Sequence, residues 1–181
     1  ISRSPTMLYF GQDVGEDGSE APGSGGPTRT PIFDYMGVPA HQRWRNEGKF
    51  DGGQLTEEEK ALREFYIKVM DIAAFHPAMA GEYISLHSAN KATEGYTDKH
   101  FAFTRFTLED SLIVVNNFTT EPMQTTLTIP AAVVSQLQLR AGENTLKDLL
   151  SEADYALHVT NGVGELTLNL QGLESVVLEV N

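Results

Sequence analysis

The sequence of 181 residues contains no cysteine, only five histidines and a single tryptophan. Without cysteine there is no disulfide, no thiol nucleophile and no cysteine-based zinc site. Basic residues are also scarce, since 13 Lys and Arg stand against 25 Asp and Glu and give a net charge of −12. Nucleic acids and anionic membranes bind to basic surfaces, so both partners are disfavoured, whereas a neutral ligand such as a sugar is not.

Long hydrophobic runs are absent as well. No apolar stretch approaches the ~18 residues that a membrane-spanning helix needs, and no signal peptide is recognisable. The chain begins at Ile1 and not at a methionine. We therefore expect either that a leader has been removed or that the chain is a piece of a larger protein.

The first half of the chain combines a short apolar run, a long polar loop and one amphipathic helix. The run Pro5–Phe10 (PTMLYF) is typical of a fully buried strand. Residues 11–53 are rich in Gly, Pro, Ser and Asp and form a connection far longer than the usual ~4–6 residues. Thr56 and Glu59 have the spacing of a capping box, and the pattern that follows predicts a helix over Glu57–Phe75. Its apolar face has helical spacing and contains Leu62, Phe65, Tyr66, Val69 and Ala73.

From Gly81 onward the pattern is that of an antiparallel β protein. Seven or eight short β-forming runs follow one another, and residues 166–170 (LTLNL) alternate between apolar and polar side chains. Asn161-Gly162 and Gln171-Gly172 stand where hairpin turns would fall. The predicted fold class is mainly β, with an antiparallel β-sandwich over residues 80–181 and one β/α unit over residues 1–79.

A single β/α unit has too few elements to enclose a core of its own. We expect the strand at Met7–Phe10 to pair with strands that this chain does not contain. The apolar face of the helix would then belong to the same missing core. Without that cover it would form an exposed apolar patch.

Several stretches resemble the end of an α-amylase-family glycoside hydrolase, and most closely its bacterial maltodextrin-degrading members. They are PTMLYFGQDVGE, RTPIFDYMGVPAHQRW, the helix around Leu62 and the NFT triplet at Asn117–Thr119. The resemblance covers the whole chain. It implies the last strand, loop and helix of a (β/α)8 (TIM) barrel, followed by the C-terminal β-sandwich called domain C. It also implies an α-glucan substrate such as maltodextrin and, in the intact protein, a retaining mechanism with two carboxylates.

The catalytic residues of that family lie on earlier barrel strands, in motifs similar to GxRxD, a strand-end Glu and NHD. None of these motifs occurs in this sequence. By resemblance, the chain has no catalytic residue, is inactive alone and supports the missing barrel portion of the same protein. The resemblance does not define where the protein is located: a periplasmic, a secreted and a cytoplasmic protein are all compatible with it.

The loop after the first strand contains four carboxylates, those of Asp13, Glu16, Asp17 and Glu20. A catalytic pair requires one carboxyl group held protonated by burial, and carboxylates on a Gly-rich loop are expected to be solvated. The same loop partly matches a calcium-binding EF-hand loop, but Ser24 occupies the place of the bidentate Glu. We therefore predict no metal and no cofactor, with calcium as the alternative.

Five residues are predicted to bind substrate: Gln12, Asp13, Arg29, Tyr35 and Trp44. The resemblance places the first two at the rim of the sugar cleft. The tyrosine and the tryptophan, together with Phe33, present faces that stack on sugar rings, although they would equally serve to pack the long loop. The arginine would hydrogen-bond a sugar hydroxyl or form a salt bridge with Asp34.

Two other functions remain open. The first is a non-catalytic carbohydrate-binding β-sandwich, which predicts exposed, coplanar aromatic side chains on one face of the sheet. The second is a small enzyme built on the acidic loop. Asn117-Phe118-Thr119 is formally a glycosylation sequon, and we interpret it instead as the end of a strand.

Overall fold

The computed structural model describes residues 6–20 and 37–180. The chain divides into two compact units, one up to Met70 and one from Asp71 onward. Within the described ranges, no helix has the length and apolar character needed to cross a membrane.

The N-terminal unit is built from short helices and turns. A 3-10 turn covers Gln12–Val14, α1 covers Pro39–Arg45 and a second 3-10 turn covers Asn46–Gly48. Helix α2 covers Glu57–Phe75, and its residues up to Met70 belong to this unit. The bounds of α2 are the predicted ones. Its capping box forms as expected, since the Glu59 backbone N–H donates to the Thr56 hydroxyl (3.2 Å) and the Thr56 N–H donates to the Glu59 carboxylate (2.9 Å).

The core of this unit is small. Val14, Ala40 and Leu55 are buried together, and Trp44 packs against them half-buried. None of the 19 residues of α2 is buried, and Phe65 and Ile67 are 47% and 48% exposed. On the predicted apolar face of α2, Phe65 is exposed, while Leu62, Tyr66, Val69 and Ala73 are half-buried. The face is therefore only partly covered.

The predicted strand at Met7–Phe10 does not form. Residues 6–10 belong to no strand, and the side chains of Met7 and Tyr9 are 92% and 56% exposed. A strand requires a neighbour to satisfy its backbone N–H and C=O groups. Among the described residues, no strand pairs with this segment.

The C-terminal unit contains eight strands, and their pairings are all antiparallel. The sheet order is β1-β2-β3-β8-β5-β6-β7-β4, which confirms the predicted mainly β fold. The strands are β1 Glu82–Ser85, β2 His100–Phe106, β3 Ser111–Asn117, β4 Met123–Ile129, β5 Gly142–Asp148, β6 Asp154–Thr160, β7 Val163–Leu170 and β8 Ser175–Val180. Three short helical segments complete the unit: a 3-10 turn at Pro77–Ala80, α3 at His87–Asn90 and α4 at Ala131–Gln136.

The sheet is curled, because strands far apart in its order share one core. Ala102 of β2 and Leu127 of β4 belong to the same buried cluster, although five strands separate β2 from β4. A second, smaller cluster lies on the other face and includes Phe103, Leu112 and Val177. The curl gives two opposed halves around one core, which is how a sandwich buries its inner faces.

The sequence signals for turns have different outcomes. Asn161 and Gly162 connect β6 and β7 with φ values of +53° and +81°, as a type I′ hairpin turn requires. The hairpin predicted at Gln171-Gly172 is wrong, because β8 lies between β3 and β5 and does not pair with β7. Glycine is needed at position 172 for a different reason: a Cβ atom there would lie 2.1 Å from the carbonyl oxygen of Thr120.

Candidate functional site

A pocket of about 240 Å³ lies in the N-terminal unit where three segments converge. Residues around the first 3-10 turn form one wall, α1 forms the second and α2 the third. The lining residues are Tyr9, Phe10, Gly11, Asp13, Val14, His41, Trp44 and Arg63. Two of the five predicted substrate-binding residues, Asp13 and Trp44, are therefore brought together.

The aromatic wall of the pocket is built on α1. His41 and Trp44 are three residues apart, so they share one face of the helix, and their ring centroids are 5.5 Å apart. The ring of Phe10 lies 4.4 Å from that of His41. Phe50 contacts Trp44 edge-on at 5.8 Å. The indole ring is therefore part of a cluster of four contacting rings.

The ionic wall of the pocket consists of Asp13 and Arg63. The guanidinium group of Arg63 donates a hydrogen bond to the Asp13 carboxylate and forms an ion pair with it. The same guanidinium lies 4.9 Å from the centroid of the Trp44 ring, which is cation–π geometry. Arg63 thus contacts both Asp13 and Trp44, and its guanidinium group lies over one face of the indole.

Gln12 does not line the pocket but supports it. Its side-chain amide donates to the Tyr66 hydroxyl (2.8 Å), and its side-chain oxygen accepts from the Tyr9 backbone N–H (3.1 Å). The other two predicted substrate-binding residues, Arg29 and Tyr35, lie outside the described residues, as does Phe33.

Each carboxylate of the acidic loop has a structural partner. The carboxylate of Glu16 accepts from the backbone N–H of Ala40 (2.9 Å) and weakly from that of His41 (3.4 Å), so it caps the first turn of α1 from another segment. Asp17 accepts from the backbone N–H of Ser19 at 2.8 Å. Its hydrogen bonds to Ser19 lower the pKa of Asp17.

Arg43 joins the acidic loop to α2. It donates to both oxygens of the Glu20 carboxylate (3.0 and 2.8 Å) and also to the carboxylate of Glu59. Hydrogen bonds from Arg43 are the main cause that lowers the pKa of Glu20 and of Glu59. The same bonds to the two carboxylates raise the pKa of Arg43. A general acid of a glycosidase needs a raised pKa, so the shifts of Asp17 and Glu20 run opposite to that role.

Within residues 6–20 and 37–180, no three His, Asp or Glu side chains approach one another as the ligands of a metal ion would. In the acidic loop this follows from the separate partners of Glu16, Asp17 and Glu20. Each side chain is turned toward its own donor and not toward a common centre.

Phe10, His41 and Arg63 form contacts that shape the pocket but are not among the residues predicted to bind substrate. Phe10 belongs to the predicted strand, and the sequence contains no recognised motif at His41 or Arg63. The spacing of His41 and Trp44 on one helix was the only signal that could have linked two of the wall residues. The contact of Arg63 with Asp13, 50 positions away, is a tertiary contact that no local pattern encodes.

In the C-terminal unit the aromatic residues do not form an exposed platform. Tyr96, Phe103 and Phe106 are buried. Tyr83 and Phe101 flank Phe103 at 5.4 and 5.7 Å, but their rings are tilted by 32° and 42° to it and pack against the second cluster. These five residues therefore do not form the coplanar exposed face that a dedicated carbohydrate-binding module would present.

Comparison with solved structures identifies the fold. The crystal structure of AmyP in complex with maltose matches 95% of this chain with a TM-score of 0.55 at 22% identity, and the match covers 30% of that protein. An α-amylase from Geobacillus thermoleovorans in complex with acarbose matches 74% of this chain and 26% of its own length, with a TM-score of 0.49 at 16% identity. An α-amylase from Anoxybacillus matches 73% of this chain and 25% of its own length, with a TM-score of 0.47 at 17% identity.

The first of these matches shows that this chain shares its fold with part of AmyP. The chain spans less than a third of the length of each of the three solved proteins. No protein-family model matches the sequence, and no curated protein matches it.

Proposed function

We propose that this chain is the C-terminal portion of an α-amylase-family glycoside hydrolase that acts on α-glucans such as maltodextrin. The intact enzyme uses the retaining mechanism with two carboxylates, and these carboxylates belong to earlier barrel strands. The C-terminal sheet is a structural domain that supports the barrel. Residues up to about Met79 are the last strand, loop and helix of that barrel.

The observation that carries this proposal is the incomplete burial of α2. An amphipathic helix normally buries its apolar face against a protein core, yet no residue of α2 is buried here. Phe65, Ile67 and Met70 are each exposed by more than two fifths. The segment at residues 6–10 lacks a strand partner among the described residues, as the last strand of an incomplete barrel would.

The Trp44 pocket then forms part of the rim of the sugar cleft. Its volume of about 240 Å³ is below the ~300–1,000 Å³ of typical ligand pockets, so it takes only one portion of an extended ligand. The indole supplies an apolar face for a sugar ring, and the Asp13 carboxylate accepts hydrogen bonds from hydroxyl groups. Active sites of (β/α)8 barrels lie at the C-terminal ends of the strands, where this loop begins.

The proposal is tested by release of reducing sugar from maltoheptaose. We expect this chain alone to release none, and a longer protein that also contains the preceding barrel segments to release it. Hydrolysis by the chain alone would contradict the proposal, because each carboxylate of the acidic loop is bonded to its own structural donor and none forms a catalytic pair. An inactive longer protein that is fully folded would contradict it as well.

A second test compares stability in the two contexts. Phe65→Ser is expected to change the free energy of unfolding of this chain by no more than about 1 kcal/mol, since the residue is half exposed. In the longer protein the same change should cost about 3–5 kcal/mol, because the apolar face of α2 that contains Phe65 is then in a core. Ala61→Ser, at an exposed position of the same helix, is the matched control and should have a small effect in both proteins.

A further inference from the structure

A second cavity lies in the C-terminal unit, at the end of the sheet where β3 passes to β4. It has a volume of about 790 Å³. It is lined by Gly95 and residues 97–99 before β2, by His100 at the start of β2, and by residues 118–122 after β3. This volume lies within the ~300–1,000 Å³ of pockets that hold small molecules. We call it the Phe118 groove.

Phe118 is an exposed aromatic residue on a rigid support. Its side chain is 65% exposed, while its backbone N–H donates to the carbonyl oxygen of Lys99 (3.0 Å). A single exposed aromatic residue requires no explanation on most surfaces. Here the ring faces a groove, and the turn that carries it is fixed on both sides.

The support of this turn is the buried side chain of Asn117. Its amide donates to the carbonyl oxygens of Glu121 (2.8 Å) and Gln171 (2.9 Å). Its oxygen accepts from the backbone N–H (2.9 Å) and the hydroxyl (2.8 Å) of Thr119. With both amide hydrogens and both lone pairs occupied, Asn117 holds the turn in place. A binding surface fixed in this way loses little conformational entropy when a ligand docks.

The remaining groups of the groove suit a neutral, hydroxyl-rich ligand. Asp98, Lys99 and Glu121 provide charges of both signs, and the side chain of Asp98 is 97% exposed. A phosphate or other anion would meet two carboxylates and one ammonium group, which does not favour it. Carboxylates, an ammonium group and threonine hydroxyls do match the donors and acceptors of sugar hydroxyls.

We propose that the Phe118 groove is a carbohydrate-binding site, with the ring of Phe118 stacked on a sugar ring and Asp98, Lys99 and Glu121 bonded to hydroxyl groups. It is separate from the pocket around Trp44, which belongs to the other unit. The choice of an α-glucan as the ligand rests on the proposed function. The site itself requires no cleavage and no residue of the N-terminal unit.

The test is calorimetric titration of the full chain with maltoheptaose. We expect the wild-type chain to bind maltoheptaose. Phe118→Ala should bind it about tenfold more weakly, because the variant lacks the ring that stacks on the sugar. Leu108→Ala removes another exposed apolar side chain, in the turn between β2 and β3, and should bind as wild type does. Equal melting temperatures of the three proteins show that the fold is intact.

A second variant gives a direct reading of contact. In Trp44→Phe combined with Phe118→Trp, the only tryptophan lies in the groove. Its fluorescence should change on addition of maltoheptaose and saturate at the affinity measured for the wild type. Absence of binding by the wild-type chain, or binding that Trp44→Phe abolishes and Phe118→Ala leaves unchanged, would overturn the proposal. Reducing-sugar release by the longer protein decides the proposed function independently of either result.

Discussion

The side chain of Asn90 forms two backbone hydrogen bonds with Thr128, as a neighbouring strand would. The Thr128 N–H donates to the Asn90 side-chain oxygen (2.7 Å), and the Thr128 carbonyl accepts from the Asn90 amide (3.0 Å). The same amide also donates to the carbonyl oxygen of Leu86 (2.9 Å). Thr128 lies in β4, which is the last strand of the sheet, so Asn90 covers an edge that would otherwise be unpaired.

The rest of the connection after β1 follows the same edge. The Thr125 hydroxyl donates to the carbonyl oxygen of Glu94 at 2.7 Å. Gly95 lies so close to β4 that a Cβ atom there would be 1.9 Å from the carbonyl oxygen of Gln124. The connection therefore closes the curled sheet between its two edge strands, and glycine at position 95 makes that approach possible.

Asn90→Ala should lower the free energy of unfolding by about 2–3 kcal/mol, because it leaves buried backbone groups of Thr128 and Leu86 without partners. Asn144→Ala is the control. The Asn144 side chain also forms three hydrogen bonds with backbone groups, those of Arg140 and Gly142, but these lie at the solvent-exposed start of β5. Water replaces those partners, so its loss should stay near 1 kcal/mol or below. Urea unfolding followed by circular dichroism measures both, and equal losses would contradict the role of Asn90.

Asp148 is a buried carboxylate that joins β5 to β8. It is 1% exposed and accepts from the backbone N–H of Val177 (2.9 Å) and from the N–H (3.0 Å) and hydroxyl (2.5 Å) of Ser151. Asp148→Ala should cost about 3 kcal/mol or more in stability, since a charged acceptor with several donors is lost at once. Ser151→Ala removes one of these donors and should cost about 1 kcal/mol. Thermal or urea unfolding compares the two, and a smaller loss for the Asp148 variant would contradict this assignment.

His100 makes stability depend on pH. Burial lowers the pKa of His100 below its ordinary value of 6.5, and the backbone N–H of Thr97 donates to its Nδ1 atom (2.9 Å), so the ring is neutral when folded. The unfolded chain binds a proton at this residue more readily. The contribution of His100 to stability is therefore complete above about pH 7 and is lost as the pH falls through 6.5 toward the lower pKa of the folded state.

The measurement is the difference in unfolding free energy between the wild-type chain and His100→Asn from pH 8 to pH 5. We expect the wild type to lose stability relative to the variant on acidification, with a slope of at most about 1.4 kcal/mol per pH unit. The four other histidines are common to both proteins and cancel in the difference. A difference that stays constant, or one that grows in favour of the wild type at low pH, would contradict the assignment.

Glu16 is expected to hold α1 in place. Glu16→Ala removes the acceptor of the Ala40 and His41 backbone N–H groups and should cost about 1 kcal/mol in stability of the N-terminal unit. Trp44, the only tryptophan, lies on α1, so its emission should shift to longer wavelength as the indole becomes more solvated. Asp17→Ala changes a neighbouring carboxylate that bonds only within its own turn, and it should leave the emission unchanged. A shift of the emission in Asp17→Ala but not in Glu16→Ala would contradict the role of Glu16 as a cap.

Local patterns in the sequence predicted those elements whose stability is local. The bounds of α2 follow from the capping box of Thr56 and Glu59, whose two hydrogen bonds link residues three apart. The alternation in β7 is observed, with Leu166, Leu168 and Leu170 buried, because a half-buried strand has a period of two. The turn at Asn161-Gly162 forms because its backbone angles require those residue types.

Relations between distant segments could not be predicted in this way. The position of β8 between β3 and β5 depends on which strand edges are free once the sheet curls. The contacts of Asn90 with Thr128 and of Arg63 with Asp13 have no local signal, because they span 38 and 50 positions. The apolar run at Met7–Phe10 predicts a strand, but a strand exists only beside another strand, and the described residues supply none.

The most direct test of the account is to read the coding sequence that precedes Ile1. The account predicts about seven further β/α units, with an aspartate, a glutamate and a second aspartate at the ends of three of their strands. An unrelated domain upstream, or a start codon immediately before Ile1, would contradict it.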